Sequence, residues 1–532
     1  MVNLPKNGSG LGRFERGFGQ GLLVSYRDSG FVMTRFSLAA ASDFLFKRAM
    51  RKLFSFLVGV LFLVGAAKAE ERPNLLFIFL DDFGWKDTSY MGSDFYETPN
   101  LDALAEGGMV FTNAYSASAN CAPARACLLS GQYTPRHEMY NVGTGPRGNA
   151  AHRRLNHIPG VDTLDPSITT WAKALQSSGY HTATMGKWHL SDDPLPYGFD
   201  LNVAGTHSGS PPKGYYPPHG NVPGLEGLPK DEYLTETLSD RAESFIEENT
   251  ERPWALYLTH FAVHTPLDAD EKYVEKYEKK APGKVHDHVA MATMIESVDQ
   301  GIGRIVEALE ATGSRERTII VFFSDNGGYG PATDMDPLKG YKGTYYEGGI
   351  RVPFFVNWRG VVEAGQVNET PIIGVDIYPT FCEMLGADLP EGQPLDGVSL
   401  VDLFKGGDLD ERSLYWHFPA YLQSYGVAEF EQRDPLFRSR PCSIVRRGDW
   451  KLHQFFETGD LELYNLADDI GETADRSKTN PEKLEELKRD LEKWRAEIGA
   501  PVPEERNPSF DADAEATAIK KGLAPKKKKK GK

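Results

Sequence analysis

The sequence predicts an α/β protein: a large mixed, mostly parallel sheet flanked by helices, then a smaller C-terminal domain with an antiparallel sheet and a helix. Long apolar runs that alternate with helical patterns predict the large sheet, because strands buried on both faces show no polar–apolar alternation. Short strands separated by turn residues, followed by one amphipathic helix, predict the smaller domain. The chain of 532 residues is too long for one ordinary core, so two domains are expected.

Four apolar runs are expected to form buried strands of the large sheet, over residues 74–80, 180–185, 254–263 and 318–324. Helices are expected over residues 100–106, 167–178 and 288–312. Ligands of parallel α/β sheets bind beyond the carboxyl ends of the strands. The polar residues that follow these strands are therefore expected to form one active site: Asp81, Asp82, Lys187, His189, His264, Asp325 and Asn326.

The smaller domain is expected over residues 413–502. Its short strands fall near residues 442–446, 450–456 and 461–464. Its helix is expected to begin at Pro481, after the N-cap Asn480, and to end at Gly499. Residues 503–532 are charged and poor in large apolar side chains, so a disordered Lys-rich tail is predicted there.

The N-terminal part resembles a targeting segment. Residues 50–69 have a basic start, an apolar run and a small-x-small end at Ala67-Lys-Ala69, which together predict a signal peptide. The run is too short for a membrane span, so an exported protein, periplasmic or secreted, with no integral membrane segment in its mature chain is expected. Because signal peptides normally start a chain, residues 1–49 are interpreted as a mis-called extension. The catalytic domain would then span residues 70–412.

Charge and cysteine content exclude some classes of protein. Removing residues 1–69 would take the net charge from −16 to −23. This acidity argues against a nucleic-acid partner, and an anionic substrate would need a local basic site. Four cysteines do not make a disulfide scaffold. A single bridge between Cys382 and Cys442 is left open.

The segment Cys121-Ala-Pro-Ala-Arg-Ala-Cys-Leu-Leu-Ser-Gly131 is the most informative motif. Pro123 suits the first turn of a helix and Gly131 suits its end. Cys121 would then lie at the N-terminus, where free N–H groups favour an anion, with Arg125 on the same face one turn later. The segment predicts a pocket for a tetrahedral oxyanion, although alone it would also suit a buried cysteine in a short helix.

This segment resembles the signature of the type I, formylglycine-dependent sulfatases, with Ala124 where the family usually has Ser. The resemblance covers roughly residues 72–500 and implies an arylsulfatase-like enzyme with the alkaline-phosphatase-like fold. It implies that a maturase oxidises Cys121 to formylglycine, whose aldehyde hydrate attacks sulfur.

The resemblance also implies a metal site and a set of catalytic residues. Asp81, Asp82, Asp325, Asn326 and the modified Cys121 would hold Ca²⁺, with Mg²⁺ as the alternative. The implied catalytic residues are Cys121, Arg125, Lys187, His189, His264, Asp325 and Lys342. Asp325 would take a proton from the hydrate, His264 with Lys342 would protonate the leaving alcohol, and His189 would help the aldehyde to re-form.

The expected substrate is a sulfated carbohydrate, selected by loops. His207, in a turn-rich segment, is the first candidate for binding it. The basic stretch 152–154 could hold a carboxylate or a second sulfate, and residues 415–418 could reach the mouth of the pocket. Two alternatives stay open: a phosphate or phosphonate ester hydrolase of the same superfamily, and a non-catalytic glycan-binding protein in which Cys121 is never oxidised.

Overall fold

The structure, a computed structural model, describes residues 72–425 and 433–522, together with the backbone of three strands between residues 13 and 36. Residues 1–71 and 72–532 form two compact units. In the first unit, strands β1 (Arg13–Phe14), β2 (Gly21–Arg27) and β3 (Gly30–Phe36) form an antiparallel sheet in that order. The predicted signal peptide, residues 50–69, and the rest of the predicted extension lie outside the described residues.

The second unit contains the predicted sheets and helices. Its strands are β4 Asn74–Leu80, β5 Met109–Phe111, β6 Ala114–Tyr115, β7 His181–Gly186, β8 Leu201–Val203, β9 Trp254–Thr259, β10 Thr318–Ser324, β11 Phe355–Asn357, β12 Gln366–Asn368, β13 Ile372–Ile373, β14 Ser413–Phe418, β15 Leu422–Gln423, β16 Phe437–Ser439, β17 Cys442–Arg447, β18 Trp450–Phe455 and β19 Leu461–Asn465. Its α-helices are α1 Pro99–Glu106, α2 Cys121–Ser130, α3 Thr134–His137, α4 Trp171–Ser177, α5 Leu234–Glu248, α6 Glu271–Lys279, α7 Val289–Ala311, α8 Glu347–Ile350, α9 Ile377–Leu385, α10 Val401–Phe404, α11 Pro481–Ile498 and α12 Ala512–Gly522.

The large sheet has eight strands in the order β12-β5-β11-β10-β4-β9-β7-β8. Neighbouring strands run parallel except where β11 pairs antiparallel with β5 and β10. This confirms the predicted mixed, mostly parallel sheet. All seven residues of β4 are buried. Alternate side chains of that strand pack into two different cores, one on each face, as a continuous apolar strand requires.

The C-terminal sheet is antiparallel, in the order β14-β17-β18-β19, which confirms the antiparallel sheet predicted for the C-terminal part. Helix α11 covers it with Leu487, Leu491 and Trp494 buried. The sheet packs onto the rest of the unit, since the buried Trp416 indole donates from Nε1 to the Ser116 carbonyl oxygen at 2.8 Å.

The predicted disordered tail is ordered over residues 503–522, so that prediction is wrong for this stretch. Helix α12 lies there, and its Glu515 is buried. Glu515 forms ion pairs with Arg154 and Arg440, each at 2.9 Å. The charge of Glu515 is thus paired with the body of the protein instead of being solvated. Residues 523–532 lie outside the described part of the chain.

The cysteines do not form a bridge. Cys121, Cys127, Cys382 and Cys442 are all free and buried, so the Cys382–Cys442 pairing that the sequence left open is absent. Among the described residues, no helix combines the length and apolar character needed to cross a membrane.

Candidate active site

Helix α2 places Cys121 at its N-terminus, as the motif predicts. It ends at Gly131, whose φ of 68° is left-handed and whose N–H donates to the Cys127 carbonyl oxygen. Cys121 and Arg125 are both buried, with 2% and 0% of their surface exposed. The guanidinium of Arg125 donates to the Lys187 carbonyl oxygen at 2.9 Å and to the Thr259 hydroxyl at 2.5 Å. The helix therefore fixes a nucleophile position and a cation beside the ends of β7 and β9.

Four oxygen-bearing residues follow two adjacent parallel strands. Asp81 and Asp82 follow β4, and Asp325 and Asn326 follow β10, with Leu80 paired opposite Ser324 in the register. This register brings the four side chains to one place. Ligand atoms of Asp81, Asp82, Cys121 and Asp325 all lie within 4.8 Å of one another. Asn326 joins them, because its Nδ2 donates to Asp82 Oδ1 at 2.8 Å.

This cluster fits a hard divalent cation. Asp81 Oδ1 and Asn326 Oδ1 are buried and accept no hydrogen bond. An unpartnered buried oxygen costs free energy unless something binds it. A set of carboxylate and amide oxygens suits Ca²⁺ or Mg²⁺.

Each basic group behind the cluster has a carboxylate partner. Lys187 Nζ lies 2.6 Å from Asp81 Oδ2, Lys342 Nζ lies 2.6 Å from Asp82 Oδ2, and Arg125 Nη2 lies 2.9 Å from Asp325 Oδ2. Such buried charges are tolerable because they are paired and hydrogen-bonded. We call this set the floor of the site: Asp81, Asp82, Cys121, Arg125, Lys187, Asp325, Asn326 and Lys342.

Burial and neighbouring charges shift the pKa values of the floor in different directions. Burial raises the pKa of Asp82, but Lys342, His264 and Lys187 outweigh it and hold the pKa below its usual range. Burial and the charge of Asp81 raise the pKa of Asp325 to about 7, against the opposing effect of Arg125. Burial raises the pKa of the Cys121 thiol to about 12, so the unmodified side chain is a thiol at neutral pH.

The two predicted histidines border the floor. The Nδ1 of His264 lies 2.7 Å from the Thr265 carbonyl oxygen, and its Nε2 lies 3.9 Å from Asp82 Oδ2. Burial, together with the charges of Lys342 and Lys187, lowers the pKa of His264 to about 3, against the opposing effect of Asp82. His189 has a left-handed φ of 65°, so the backbone after β7 turns at this residue. A Cβ at Gly209 would lie 2.3 Å from its ring, so any other residue there would displace the imidazole.

The floor opens into a cavity of about 360 Å³. Cys121, Asp82, His189, His264 and Lys342 line it, as do four residues that sequence reasoning missed. We call these four the rim: Arg147, Tyr329, Tyr425 and Arg438. They come from loops and from β16, with no shared motif or spacing that could have marked them.

Three predicted substrate contacts are not among the residues that line this cavity, although Gly209 and Ser210, from the same loop as His207, do line it. His207 Nε2 lies 2.9 Å from the Asp162 carbonyl oxygen, and the residue is not part of the described cavity lining. The basic stretch 152–154 contacts the C-terminal segment, since the Arg153 carbonyl oxygen accepts from Asn507 at 2.7 Å. Residues 415–418 form part of β14 beneath α11, where Tyr415 stacks on Trp494 at a centroid distance of 4.6 Å.

Comparison with known proteins agrees with this geometry. The sequence model of the sulfatase family matches residues 73–387, which is more than half of the chain. The chain belongs to the sulfatase family. A second family description, the C-terminal region of N-sulphoglucosamine sulphohydrolase, matches residues 341–497. The family assignment makes this sulfatase a sulfuric ester hydrolase, and the predicted fold class and family are confirmed.

Individual relatives give the same result. A sulfatase of Formosa agariphila is 33% identical over 517 residues, covering 81% of this chain and 89% of the relative. The N-acetylgalactosamine-6-sulfatase of Canis lupus familiaris is 29% identical, covering 69% and 73% of the two chains. Among solved structures, Ps i-CgsB in complex with k-i-k-neocarrahexaose superposes with a TM-score of 0.67 at 28% identity, covering 86% of this chain and 98% of its own.

Proposed function

We propose that this sulfatase hydrolyses a sulfate ester on a carbohydrate, using formylglycine derived from Cys121 and a bound divalent cation. The observation that carries the proposal is the floor itself. A buried Cys121 at a helix N-terminus lies among three carboxylates, an amide oxygen and three cationic side chains. Sulfate-ester cleavage uses this combination, because it requires both a nucleophile and stabilisation of several anionic oxygens.

The cation would be held by Asp81, Asp82, Asp325, Asn326 and residue 121. It would supply Lewis-acid stabilisation of negative charge at sulfur. The unpartnered oxygens of Asp81 and Asn326 support this assignment. We propose Ca²⁺, with Mg²⁺ as the alternative, since all the protein donors are hard oxygens.

The aldehyde hydrate of formylglycine would supply the nucleophilic oxygen at position 121. Asp325 is the base that would accept its proton, because both of its carboxylate oxygens face this cluster: Oδ1 accepts from the Asp82 N–H at 3.1 Å and Oδ2 accepts from Arg125. Arg125, Lys187 and Lys342 hold the floor together and present positive charge to the sulfate oxygens.

The leaving alcohol needs a proton, and His264 with Lys342 would supply it. The Nδ1 of His264 is occupied by the Thr265 carbonyl oxygen, so Nε2 is the ring nitrogen available on the cavity side. Lys342 also lines the cavity. His189 would help to remove the proton from the remaining hydroxyl group, after which the sulfate leaves and the aldehyde re-forms.

Two relatives support a carbohydrate substrate. N-acetylgalactosamine-6-sulfatase carries a sugar sulfate in its name, and Ps i-CgsB was solved with an oligosaccharide, k-i-k-neocarrahexaose. The likeness to a phosphonate monoester hydrolase, at 22% identity and a TM-score of 0.58, shows the fold alone. We further propose that the protein is exported through its predicted signal peptide at 50–69 and that a maturase oxidises Cys121.

The test is the mass of the peptide that carries residue 121, from protein purified from its native cells, together with turnover of sulfate and phosphate esters in the same buffer. We expect the thiol to be replaced by an aldehyde and sulfate esters to be hydrolysed faster. Cys121→Ala should lower turnover by about 10⁴-fold or more. Cys382→Ala, the matched control, removes another buried free thiol and should retain activity.

An unmodified thiol in fully active protein would contradict the mechanism. Faster turnover of phosphate esters would favour the hydrolase alternative. An unmodified thiol in inactive protein that still binds glycans would favour the non-catalytic alternative.

A further inference from the structure

We infer that the substrate carries a second anionic group, a sulfate or a carboxylate, and that Arg147 and Arg438 bind it at the rim. The inference rests on the proposed function, because it concerns a second group on the sugar whose sulfate ester is cleaved. It assigns two specificity-determining residues that the sequence did not point to.

Arg438 is a buried cation without a carboxylate partner in residues 72–425 and 433–522. Only 9% of its surface is exposed. Its Nε donates to the Gln423 carbonyl oxygen at 3.0 Å, and its Nη1 donates to the Lys342 carbonyl oxygen at 3.2 Å. Its guanidinium also lies 3.8 Å from the ring centroid of Tyr425. These contacts fix its orientation and leave its charge uncompensated, which is costly for a buried ion unless an anion joins it.

Arg147 lies on the same cavity and is similarly unpaired. Its Nη2 donates to the Val142 carbonyl oxygen at 3.0 Å, and no ion pair links it to a carboxylate within the described residues. Burial lowers the pKa of Arg438, and the charge of Arg147 lowers it further. Both guanidinium groups line the same cavity, so a single anion in it can pair with both.

Two neighbouring arginines, in contrast, do have carboxylate partners. Arg440, two residues after Arg438, has three carboxylate partners: Asp434, Glu457 and Glu515. Arg433 pairs with Asp460 and Glu462. The chain is acidic overall, with a net charge of −16, so carboxylates are not scarce. Guanidinium groups bind planar or tetrahedral oxyanions through paired N–H donors, which suits both sulfate and carboxylate.

The rest of the rim suits a sugar ring. Tyr425 lies edge-on to Tyr329 at a centroid distance of 5.2 Å and stacks with Tyr341 at 5.8 Å. This arrangement gives the cavity an aromatic wall next to Arg438. Aromatic faces bury the apolar surface of ligands, whereas the guanidinium groups bind their charge. A sugar with two anionic groups would use the floor, the wall and the rim arginines together.

The experiment compares kcat/KM for three substrates: a monosulfated sugar, the same sugar with a second sulfate, and the same sugar with a carboxylate. The variants are Arg147→Gln and Arg438→Gln. The matched control is Arg241→Gln, which also removes an arginine bonded to one carbonyl oxygen, but on an exposed surface.

We expect the wild-type protein to hydrolyse a doubly charged sugar with a higher kcat/KM than the monosulfated sugar. Whichever of the two doubly charged sugars has the higher kcat/KM identifies the second group as sulfate or carboxylate. The measured ratio is kcat/KM for the doubly charged sugar divided by kcat/KM for the monosulfated sugar. Each rim variant should lower this ratio by about tenfold or more, as expected for the loss of one charge-assisted hydrogen bond. The control should keep the wild-type ratio. If Arg438→Gln fails to fold, Arg147→Gln, which changes a loop residue, still tests whether the rim binds the second anionic group.

The inference would be overturned if the wild-type protein hydrolysed all three sugars with equal kcat/KM. It would also be overturned if both variants lost the same fraction of kcat/KM on all three sugars. Either result would leave the proposed function intact. Hydrolysis of aryl sulfates without any sugar sulfate would instead contradict the carbohydrate proposal, and the inference with it.

Discussion

The floor and the rim of the cavity differ in how their positive charges are balanced. On the floor, Lys187, Lys342 and Arg125 each have a carboxylate within 2.6–2.9 Å. On the rim, Arg147 and Arg438 donate only to carbonyl oxygens among the described residues. The difference indicates that the floor is preorganised for chemistry common to all sulfate esters. The rim arginines, in contrast, would pair with an anionic group of the substrate.

The largest loss of turnover is expected when a chelator removes the proposed cation from the floor. Chelation should lower sulfate-ester turnover by about 100-fold or more and added Ca²⁺ should restore it, because the proposed cation would stabilise charge at the reacting group. Asp81→Asn should weaken Ca²⁺ binding by about tenfold to a hundredfold in calorimetry, since it removes one anionic ligand.

Asp299→Asn is the control for that substitution. Asp299 is another buried carboxylate, on helix α7, and its Oδ1 accepts from the Asn100 and Leu101 N–H groups at the start of helix α1. Its substitution should leave Ca²⁺ affinity unchanged. If chelated protein kept full activity, the floor would not be a metal site.

A smaller loss of turnover is expected when His264, which borders the floor, is replaced. His264→Ala should slow alkyl sulfates by about 10²-fold or more and activated aryl sulfates much less, because only poor leaving groups need protonation. The measurement is kcat/KM for a matched alkyl and aryl pair. His219→Ala is the control, as His219 Nδ1 also lies beside a carbonyl oxygen, that of Pro212, at 2.9 Å. Equal losses on both esters would rule out His264 as the general acid.

The smallest effect is expected outside both regions. His207→Ala should change sugar-sulfate turnover by less than about twofold, within the range of ordinary surface substitutions. The reason is that His207 pairs with the Asp162 carbonyl oxygen and does not line the described cavity. The check is kcat/KM for a sugar sulfate, measured for His207→Ala and Arg147→Gln under the same conditions. A selective loss of sugar turnover in His207→Ala would show instead that His207 contacts the substrate.

Apart from Lys342, which only the family resemblance pointed to, the floor was predictable because it follows from local sequence and sheet topology. Each acid follows an apolar run that could only be a buried strand, and parallel strands bring their carboxyl ends to one edge. The register of Leu80 opposite Ser324 then makes Asp81–Asp82 and Asp325–Asn326 neighbours. Cys121 and Arg125 were predictable from their spacing on one helix.

The sequence by itself therefore determined the fold class, the strand-end cluster and the helix that carries Cys121, since these depend on periodicity and short-range spacing. Only the tertiary structure decided the rim and the ordering of residues 503–522. Arg147 and Arg438 meet on one cavity although they are far apart in the chain. Arg154 binds Glu515 instead of a substrate. Which charge finds a partner depends on long-range packing, and no local pattern records it.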